Sequence, residues 1–139
     1  MFFCSGAQIM KQPRVMIAED FVLIQEMIRR TVELECEVVA VFEDGRAVLD
    51  AVLANPPDIL LIDVSLPTMR GFAVAERIRQ SRPEVCIVFV TAHADPNYVN
   101  YAFEIGAKGY LLKGSLQLEL LPAIRAVFSG GTYKSALLR

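Results

Sequence analysis

The sequence predicts an α/β protein built on a doubly wound parallel sheet of five strands, each followed by a helix. Short apolar runs alternate along the chain with stretches whose apolar residues recur at helical spacing, which is typical of a parallel sheet covered by helices. The apolar runs are continuous and are not interrupted by polar residues. We therefore expect helices on both faces of the sheet.

The predicted strands and helices alternate in a regular order. Each strand is an apolar run, and each helix has apolar residues three or four positions apart, as Ile24, Met27 and Ile28 show in the first helix. The strands are predicted at residues 14–18, 37–41, 59–63, 85–91 and 109–112, and the helices at residues 21–34, 45–54, 72–81, 96–105 and from 115 or 116 to about 129.

Acidic residues and prolines mark the helix boundaries. Glu43 or Asp44 can accept hydrogen bonds from the free amides that open the second helix. Pro83 stops the third helix, because the residue before a proline avoids helical backbone angles. Pro96 suits the first turn of the fourth helix. Pro122 falls inside the predicted fifth helix, where it marks either the true first turn or a kink.

The composition favours one globular domain. A chain of 139 residues, 54% of them hydrophobic, is long enough to bury a core. The formal net charge of -2 gives no indication of binding to nucleic acid or to a membrane. Three cysteines without metal-ligand spacing favour a reducing, cytoplasmic location. We expect an N-terminal extension at residues 1–12, the domain at 13–130, and a tail or the start of a linker at 131–139.

Polar side chains follow the ends of four predicted strands. A carboxylate at the end of a buried strand is costly to desolvate, so it needs a reason to be there. Right-handed crossovers bring the carboxyl ends of all parallel strands to one edge of the sheet. In the flavodoxin-like order 2-1-3-4-5, the first and third strands are neighbours at the point where the order reverses. The side chains expected at this edge are Glu19, Asp20, Asp63, Thr91 and Lys113.

Carboxylates gathered in this way can bind a hard divalent cation. Oxygen ligands without nearby His or Cys favour Mg²⁺, which keeps bound water and also takes phosphate oxygens. A carboxylate such as Asp63 can also attack phosphorus and become an acyl phosphate. Lys113 and Thr91 could then stabilise the other oxygens of the transferring group.

Several short motifs lie along the chain in a fixed order, and these are Glu19-Asp20, Pro57-Asp58, Asp63, Pro67 with Gly71, Thr91-Ala92, Ala107-Lys108-Gly109-Tyr110-Leu111-Leu112-Lys113 and Gly130-Gly131-Thr132-Tyr133. In combination, they resemble the receiver domain of two-component response regulators, over residues 13 to about 133. The end of the fifth strand and the glycine-rich tail resemble the NarL/FixJ (LuxR-type) branch, whose receivers usually precede a DNA-binding domain.

The resemblance implies a phosphoacceptor and a Mg²⁺ site. Asp63 would accept a phosphoryl group from a phosphohistidine of a sensor histidine kinase. Asp20 and Asp63 would bind Mg²⁺ together with the backbone carbonyl of Ser65, and Glu19 would act largely through water.

The resemblance also implies a switch. Thr91 would hydrogen-bond the phosphoryl group, Lys113 would pair with it, and Tyr110 would turn inward when Thr91 moves. Most receivers have proline after this lysine, whereas this chain has Gly114, which puts the rigidity of that loop in question. His93 is expected to be a solvated loop residue, with tuning of phosphoryl hydrolysis as the alternative.

The implied function is that of a signalling module and not of an enzyme with a separate substrate. The domain would catalyse its own phosphorylation and dephosphorylation. Phosphorylation would switch the face built by the fourth helix, fifth strand and fifth helix, with a homodimer as one outcome. We expect control of a transcriptional output domain absent from this sequence, and no direct contact of this domain with nucleic acid or membrane.

Other functions stay open at this point. One is a stand-alone receiver that acts through protein contacts, and another is an interaction domain whose acidic site is vestigial. An aspartyl-phosphate phosphatase is disfavoured, because such enzymes commonly carry a second carboxylate where this chain has Ser65. A flavodoxin-like cofactor binder is also disfavoured, because Glu19-Asp20-Phe21 is unsuited to cradling an anion.

Overall fold

The structure is a computed structural model that describes residues 12–138. Apart from Gln12, the predicted N-terminal extension lies outside the described residues, as does Arg139. The strands are β1 (Arg14–Ala18), β2 (Glu37–Phe42), β3 (Ile59–Ile62), β4 (Cys86–Thr91), β5 (Gly109–Leu112) and β6 (Tyr133–Lys134). The helices are α1 (Val22–Val32), α2 (Gly45–Ala54), α3 (Gly71–Ser81), α4 (Pro96–Glu104) and α5 (Leu116–Phe128), with short 3₁₀ turns at Lys113–Ser115 and Ala136–Leu138.

The described strands form one parallel sheet in the order β2-β1-β3-β4-β5-β6. The predicted order of the first five strands is confirmed, and so is the flavodoxin-like α/β fold. The prediction of five strands is wrong by one, because β6 pairs with the outer edge of β5. Gly109 faces Tyr133 and Tyr110 faces Lys134 in this pair. β6 has only two residues and no apolar run, so the sequence shows no periodic pattern that predicts it. The strand forms because its backbone pairs with the outer edge of β5.

Both faces of the sheet are covered, as the sequence predicts. Successive strand residues point to opposite faces. One core lies under α2, α3 and α4 and includes Leu60, Ile62 and Phe89, while the other lies under α1 and α5 and includes Leu61 and Leu111. All four residues of β3 are buried. Each such side chain contributes roughly 1.5–3 kcal/mol through burial, which fixes the strand register and therefore the positions of the residues that follow.

The helix boundaries settle two open points. The Asp44 side chain, and not that of Glu43, caps α2 by accepting from the Ala47 amide at 2.8 Å. Pro122 lies within a continuous α5 and is exposed, so it is not the first helical residue. Within residues 12–138, no helix has both the length and the apolar character needed to cross a membrane.

Candidate functional site

Strand register brings the predicted acidic residues together. Ala18 of β1 pairs with Ile62 of β3, so the next residues, Glu19 and Asp63, leave the sheet side by side. The Asp63 amide continues the ladder by donating to the Ala18 carbonyl at 3.1 Å. The apolar runs of β1 and β3 therefore place two carboxylates at the same edge of the sheet.

Two of the three predicted carboxylates are almost fully buried. Glu19 is 1% exposed and Asp63 is 5% exposed, whereas Asp20 is exposed. One oxygen from each of the three lies within 4.8 Å of the others. Like charges this close repel strongly in a partly buried site, so the cluster requires a compensating cation.

Lys113 supplies part of that compensation from the end of β5. Its Nζ lies 2.8 Å from Asp63 Oδ2 and 2.9 Å from Glu19 Oε1. Partial burial alone would lower the pKa of Lys113, but the bonds to Asp63 and Glu19 outweigh it and raise the pKa above its usual value. The lysine is therefore a firm positive charge between two carboxylates.

Backbone amides hold the two buried carboxylates in place. The Ser65 amide donates to Asp63 Oδ1 at 3.2 Å, and the Phe21 amide, just before α1, donates to Glu19 Oε2 at 3.0 Å. Burial is the largest effect on Glu19 and raises the pKa of its carboxyl, against the lowering effect of Lys113 and the Phe21 amide. The Glu19 charge is thus incompletely compensated.

The donor set fits a hard divalent cation. Glu19 Oε1 is buried and accepts no aligned hydrogen bond from the part of the chain that the structure describes, although Lys113 lies nearby. A buried carboxylate oxygen that has an ion pair but no aligned hydrogen bond, beside two further carboxylates, belongs to a set of oxygen ligands suited to Mg²⁺. Asp20 is exposed, so one side of the cluster is open to water.

Thr91 and Tyr110 meet in the loop that follows β4. Thr91 is fully buried, and its Oγ1 accepts from the His93 amide at 3.3 Å. Tyr110 is also fully buried, and its hydroxyl donates to the His93 carbonyl at 2.7 Å. Burial is the main reason that the pKa of this phenol rises to about 12. Both predicted switch residues therefore contact the backbone of one loop residue.

The His93 side chain was expected to be solvated, and the structure places it differently. The residue is partly buried, with Nε2 3.0 Å from Ser65 Oγ and its ring 4.8 Å from the ring of Tyr98. The contact joins the loop after β4 to the residue two positions beyond Asp63. Sequence spacing showed both positions near the site but gave no sign that they pair, because their elements are far apart in the chain.

Residues 15–125 match the response regulator receiver domain family. The chain belongs to that family. Among curated proteins, this receiver is 34% identical over 122 residues to the transcriptional regulatory protein DegU of Brevibacillus brevis, covering 86% of this chain and 52% of DegU. It is 35% identical over 124 residues to the oxygen regulatory protein NreC of Staphylococcus haemolyticus, covering 86% of this chain and 57% of NreC. The receiver thus spans little more than half the length of these relatives.

Solved structures agree with this assignment. A LuxR-family response regulator from Aurantimonas sp. SI85-9A1 superposes with a TM-score of 0.87 at 31% identity, covering 92% of this receiver and 93% of that chain. The signal receiver domain of NarL from Mycobacterium tuberculosis gives 0.82 at 32% identity, covering 87% and 99%. Together with DegU and NreC, these relatives confirm the NarL/FixJ branch that the sequence predicted.

Membership of the family carries two general consequences. Receiver domains are signalling domains of two-component systems and not conventional enzymes. They typically bind Mg²⁺ at an acidic pocket, and this receiver has an acidic cluster at the expected edge.

Proposed function

We propose that this receiver accepts a phosphoryl group on Asp63 from a sensor histidine kinase in a Mg²⁺-dependent reaction. The observation that carries the proposal is the position of Lys113, whose Nζ lies within 3 Å of both Asp63 and Glu19. A fixed cation beside a nearly buried carboxylate is the arrangement that stabilises charge developing on a transferred phosphoryl group.

The reaction follows from the contacts of Asp63. One carboxylate oxygen attacks the phosphorus of the phosphohistidine, the bond from phosphorus to the imidazole nitrogen breaks, and the imidazole leaves with that electron pair. The Ser65 amide holds the other oxygen at 3.2 Å and so orients the nucleophile. Lys113 and the Thr91 hydroxyl would take phosphoryl oxygens.

Mg²⁺ would be held by Glu19, Asp20 and Asp63, with the Ser65 carbonyl as a further ligand. Bound there, it would neutralise charge on the phosphoryl oxygens. Glu19 would act largely through water. Asp20 is the exposed member, so it would meet an incoming ion first.

The switch would pass through His93. Thr91 and Tyr110 both bond its backbone, so a Thr91 hydroxyl that turns to a phosphoryl oxygen gives up its bond to the His93 amide. The loop before α4 would then rearrange, and with it the face formed by α4, β5 and α5. Tyr110 is already fully buried here, so the change that we propose lies in the loop and does not require the ring of Tyr110 to turn inward.

The relatives suggest the biological setting. DegU is a transcriptional regulatory protein, and we propose that phosphorylation here likewise controls transcription, through an output domain outside this sequence. The net charge of -2 is consistent with a receiver that does not itself bind nucleic acid. A cytoplasmic location, dimerisation on phosphorylation and self-catalysed dephosphorylation belong to the same proposal.

Intact-mass measurement tests the proposal. The protein is incubated with Mg²⁺ and acetyl phosphate, a small phosphodonor, and the expected result is a gain of one phosphoryl group. The gain should disappear in Asp63→Asn and when EDTA removes Mg²⁺, while Asp58→Asn at the other end of β3 serves as a control that keeps it. No gain in the wild type, or an unchanged gain in Asp63→Asn, would refute the proposal.

A further inference from the structure

A third buried carboxylate lies on α5, away from the acidic cluster. Glu119 is 7% exposed and accepts four hydrogen bonds. Two come from serine hydroxyls, Ser115 at 2.6 Å and Ser135 at 2.5 Å. The others come from the Tyr133 hydroxyl at 3.0 Å and the Ala136 amide at 2.8 Å. Three of the four donors belong to the C-terminal segment, which we define as residues 133–138.

These bonds make Glu119 a firmly charged group. Burial alone would raise the pKa of its carboxyl, but the Ala136 amide and the three hydroxyls outweigh burial and lower the pKa to about 2. Hydrogen bonds to an ionised acceptor are roughly twice as strong as neutral ones. The C-terminal segment is therefore held to α5 by a set of strong bonds to one carboxylate.

The fourth donor, Ser115, belongs to the turn that carries Lys113. This 3₁₀ turn, Lys113–Ser115, runs directly from β5 into α5. Its middle residue is Gly114, and a side chain there would meet nothing within 4 Å. Glycine is the residue least restricted by its own backbone sterics, so local sequence restrains the turn little. The bond from Ser115 to Glu119 supplies the restraint from outside the turn.

The C-terminal segment is also tied to β5. The Ser135 amide donates to the Tyr110 carbonyl at 2.9 Å, and Ser135 is fully buried. The hydroxyls of Ser135 and Ser115 lie 3.2 Å apart. Tyr110 lies in β5 and Lys113 directly follows that strand, so the segment contacts the strand that positions both residues of the candidate site.

We propose that Glu119 is a positioning residue that holds the Lys113 turn to the C-terminal segment, so that phosphoryl binding at Asp63 and docking of the segment are coupled. The inference rests on the proposed function, in which Lys113 binds the phosphoryl group. Because these bonds already hold the Lys113 turn in place, binding of the phosphoryl group does not have to bear the entropy cost of ordering that turn. Coupling is reciprocal, so phosphoryl binding must also strengthen docking of the segment.

Two binding readouts test the coupling. Beryllofluoride with Mg²⁺ serves as the phosphoryl mimic, and its Kd is measured for wild type, Ser115→Ala and Glu119→Gln. We expect Kd to rise about fivefold or more in both variants, the lower end of typical coupling. Ser129→Ala is the matched control, because its hydroxyl bonds only the Arg125 carbonyl within the described residues, and its Kd should equal that of wild type.

Rescue and hydrogen exchange distinguish positioning from general destabilisation. Gly114→Ala, placed where a side chain has open space, restricts the turn and should recover part of the affinity lost in Ser115→Ala. Amide exchange of residues 133–138 should slow when beryllofluoride binds wild type. The slowing should be smaller in Ser115→Ala, which we expect to fold because Ser115 is only partly buried.

The outcomes separate the two proposals. If wild type binds beryllofluoride while Ser115→Ala keeps the wild-type Kd, or exchange of the segment does not respond to binding, the coupling is refuted and the proposed function stands. If wild type fails to bind beryllofluoride with Mg²⁺, the proposed function is refuted and the coupling falls with it.

Discussion

Two sites with buried carboxylates, which we call the first cluster (Glu19, Asp63 and Lys113) and the second cluster (Glu119 and its four donors), are built in opposite ways. At the ends of β1 and β3, Glu19 and Asp63 share one lysine, and Glu19 Oε1 has no aligned donor among the described residues. On α5, the single carboxylate of Glu119 has four donors and no neighbour of like charge among its bonding partners. The carboxylates of the first cluster are only partly compensated by Lys113, whereas the Glu119 carboxylate accepts hydrogen bonds at both of its oxygens.

The pKa values express the same difference. Burial raises the pKa of Glu19, so its ionised form costs stability at neutral pH. Burial acts in the same direction on Glu119, but its donors lower the pKa to about 2, so its ionised form stabilises the fold. A site that binds a cation or a phosphoryl group needs incompletely compensated carboxylates, as at Glu19. A site that stabilises the fold needs a carboxylate with a full set of donors, as at Glu119.

The largest effect should come from removing the shared lysine. In Lys113→Met, we expect the rate of phosphorylation by acetyl phosphate to fall about a hundredfold or more, because the phosphoryl oxygens lose their fixed cation. Lys134→Met, on the exposed side of β6, should keep the wild-type rate. Intact mass recorded over time gives the rates. Equal rates in both variants would exclude a role for Lys113 in phosphorylation.

For stability, in contrast to phosphorylation rate, a substitution in the second cluster should have the larger effect. Glu119→Leu leaves three hydroxyls and an amide without their acceptor, so the free energy of unfolding should fall by about 2–4 kcal/mol. Glu19→Gln removes a repelling charge while Lys113 keeps Asp63, so its free energy of unfolding should stay within about 1 kcal/mol of wild type or increase. Urea denaturation at pH 7 measures both, and a larger loss in Glu19→Gln would contradict the comparison.

Magnesium should act on one cluster alone. At a hundredfold excess over Kd, Mg²⁺ should raise the free energy of unfolding of wild type by about 2.7 kcal/mol. The gain should be small in Asp20→Asn and intact in the exposed α2 variant Asp50→Asn. Thermal melts with Mg²⁺ or EDTA provide the measurement, and an undiminished gain in Asp20→Asn would exclude that residue as a ligand.

The smallest effect should come from His93. Its Nε2 lies 3.0 Å from Ser65 Oγ, two residues beyond Asp63, and we expect this pair to restrict the approach of water to Asp63. In His93→Ala, we expect the aspartyl phosphate to hydrolyse about twofold to tenfold faster, a barrier change under about 1.4 kcal/mol. The decay of phosphoprotein mass gives the rate, with Asn100→Ala on α4 as control. A slower decay would mean that the ring assists hydrolysis.

The sequence predicted those parts of the fold and site that depend on local pattern. Apolar runs defined β1 and β3, and the residues after them, Glu19 and Asp63, were placed correctly because register follows from burial. The position of Lys113 directly after β5 was predicted by the same reasoning. These predictions needed only which residues end each strand and the order of the strands.

Features that depend on tertiary partners were missed. The strand β6 has two residues and exists only against the edge of β5. Glu119 looks like an ordinary helical glutamate, and its partners at Ser135 and Ala136 come from beyond the helix. One signal was available, because Glu119 lies three residues after Leu116 on the buried stripe of α5, where a charge is out of place.

Locating the modification tests the central claim most directly, that the incompletely compensated cluster is the reactive one. After incubation with Mg²⁺ and acetyl phosphate, borohydride reduces an acyl phosphate to an alcohol and so marks the residue for peptide mapping by mass spectrometry. We predict the mark on Asp63 and an unmodified Glu119. A mark on Glu119, or on Glu19 or Asp20 with Asp63 unmodified, would contradict the account.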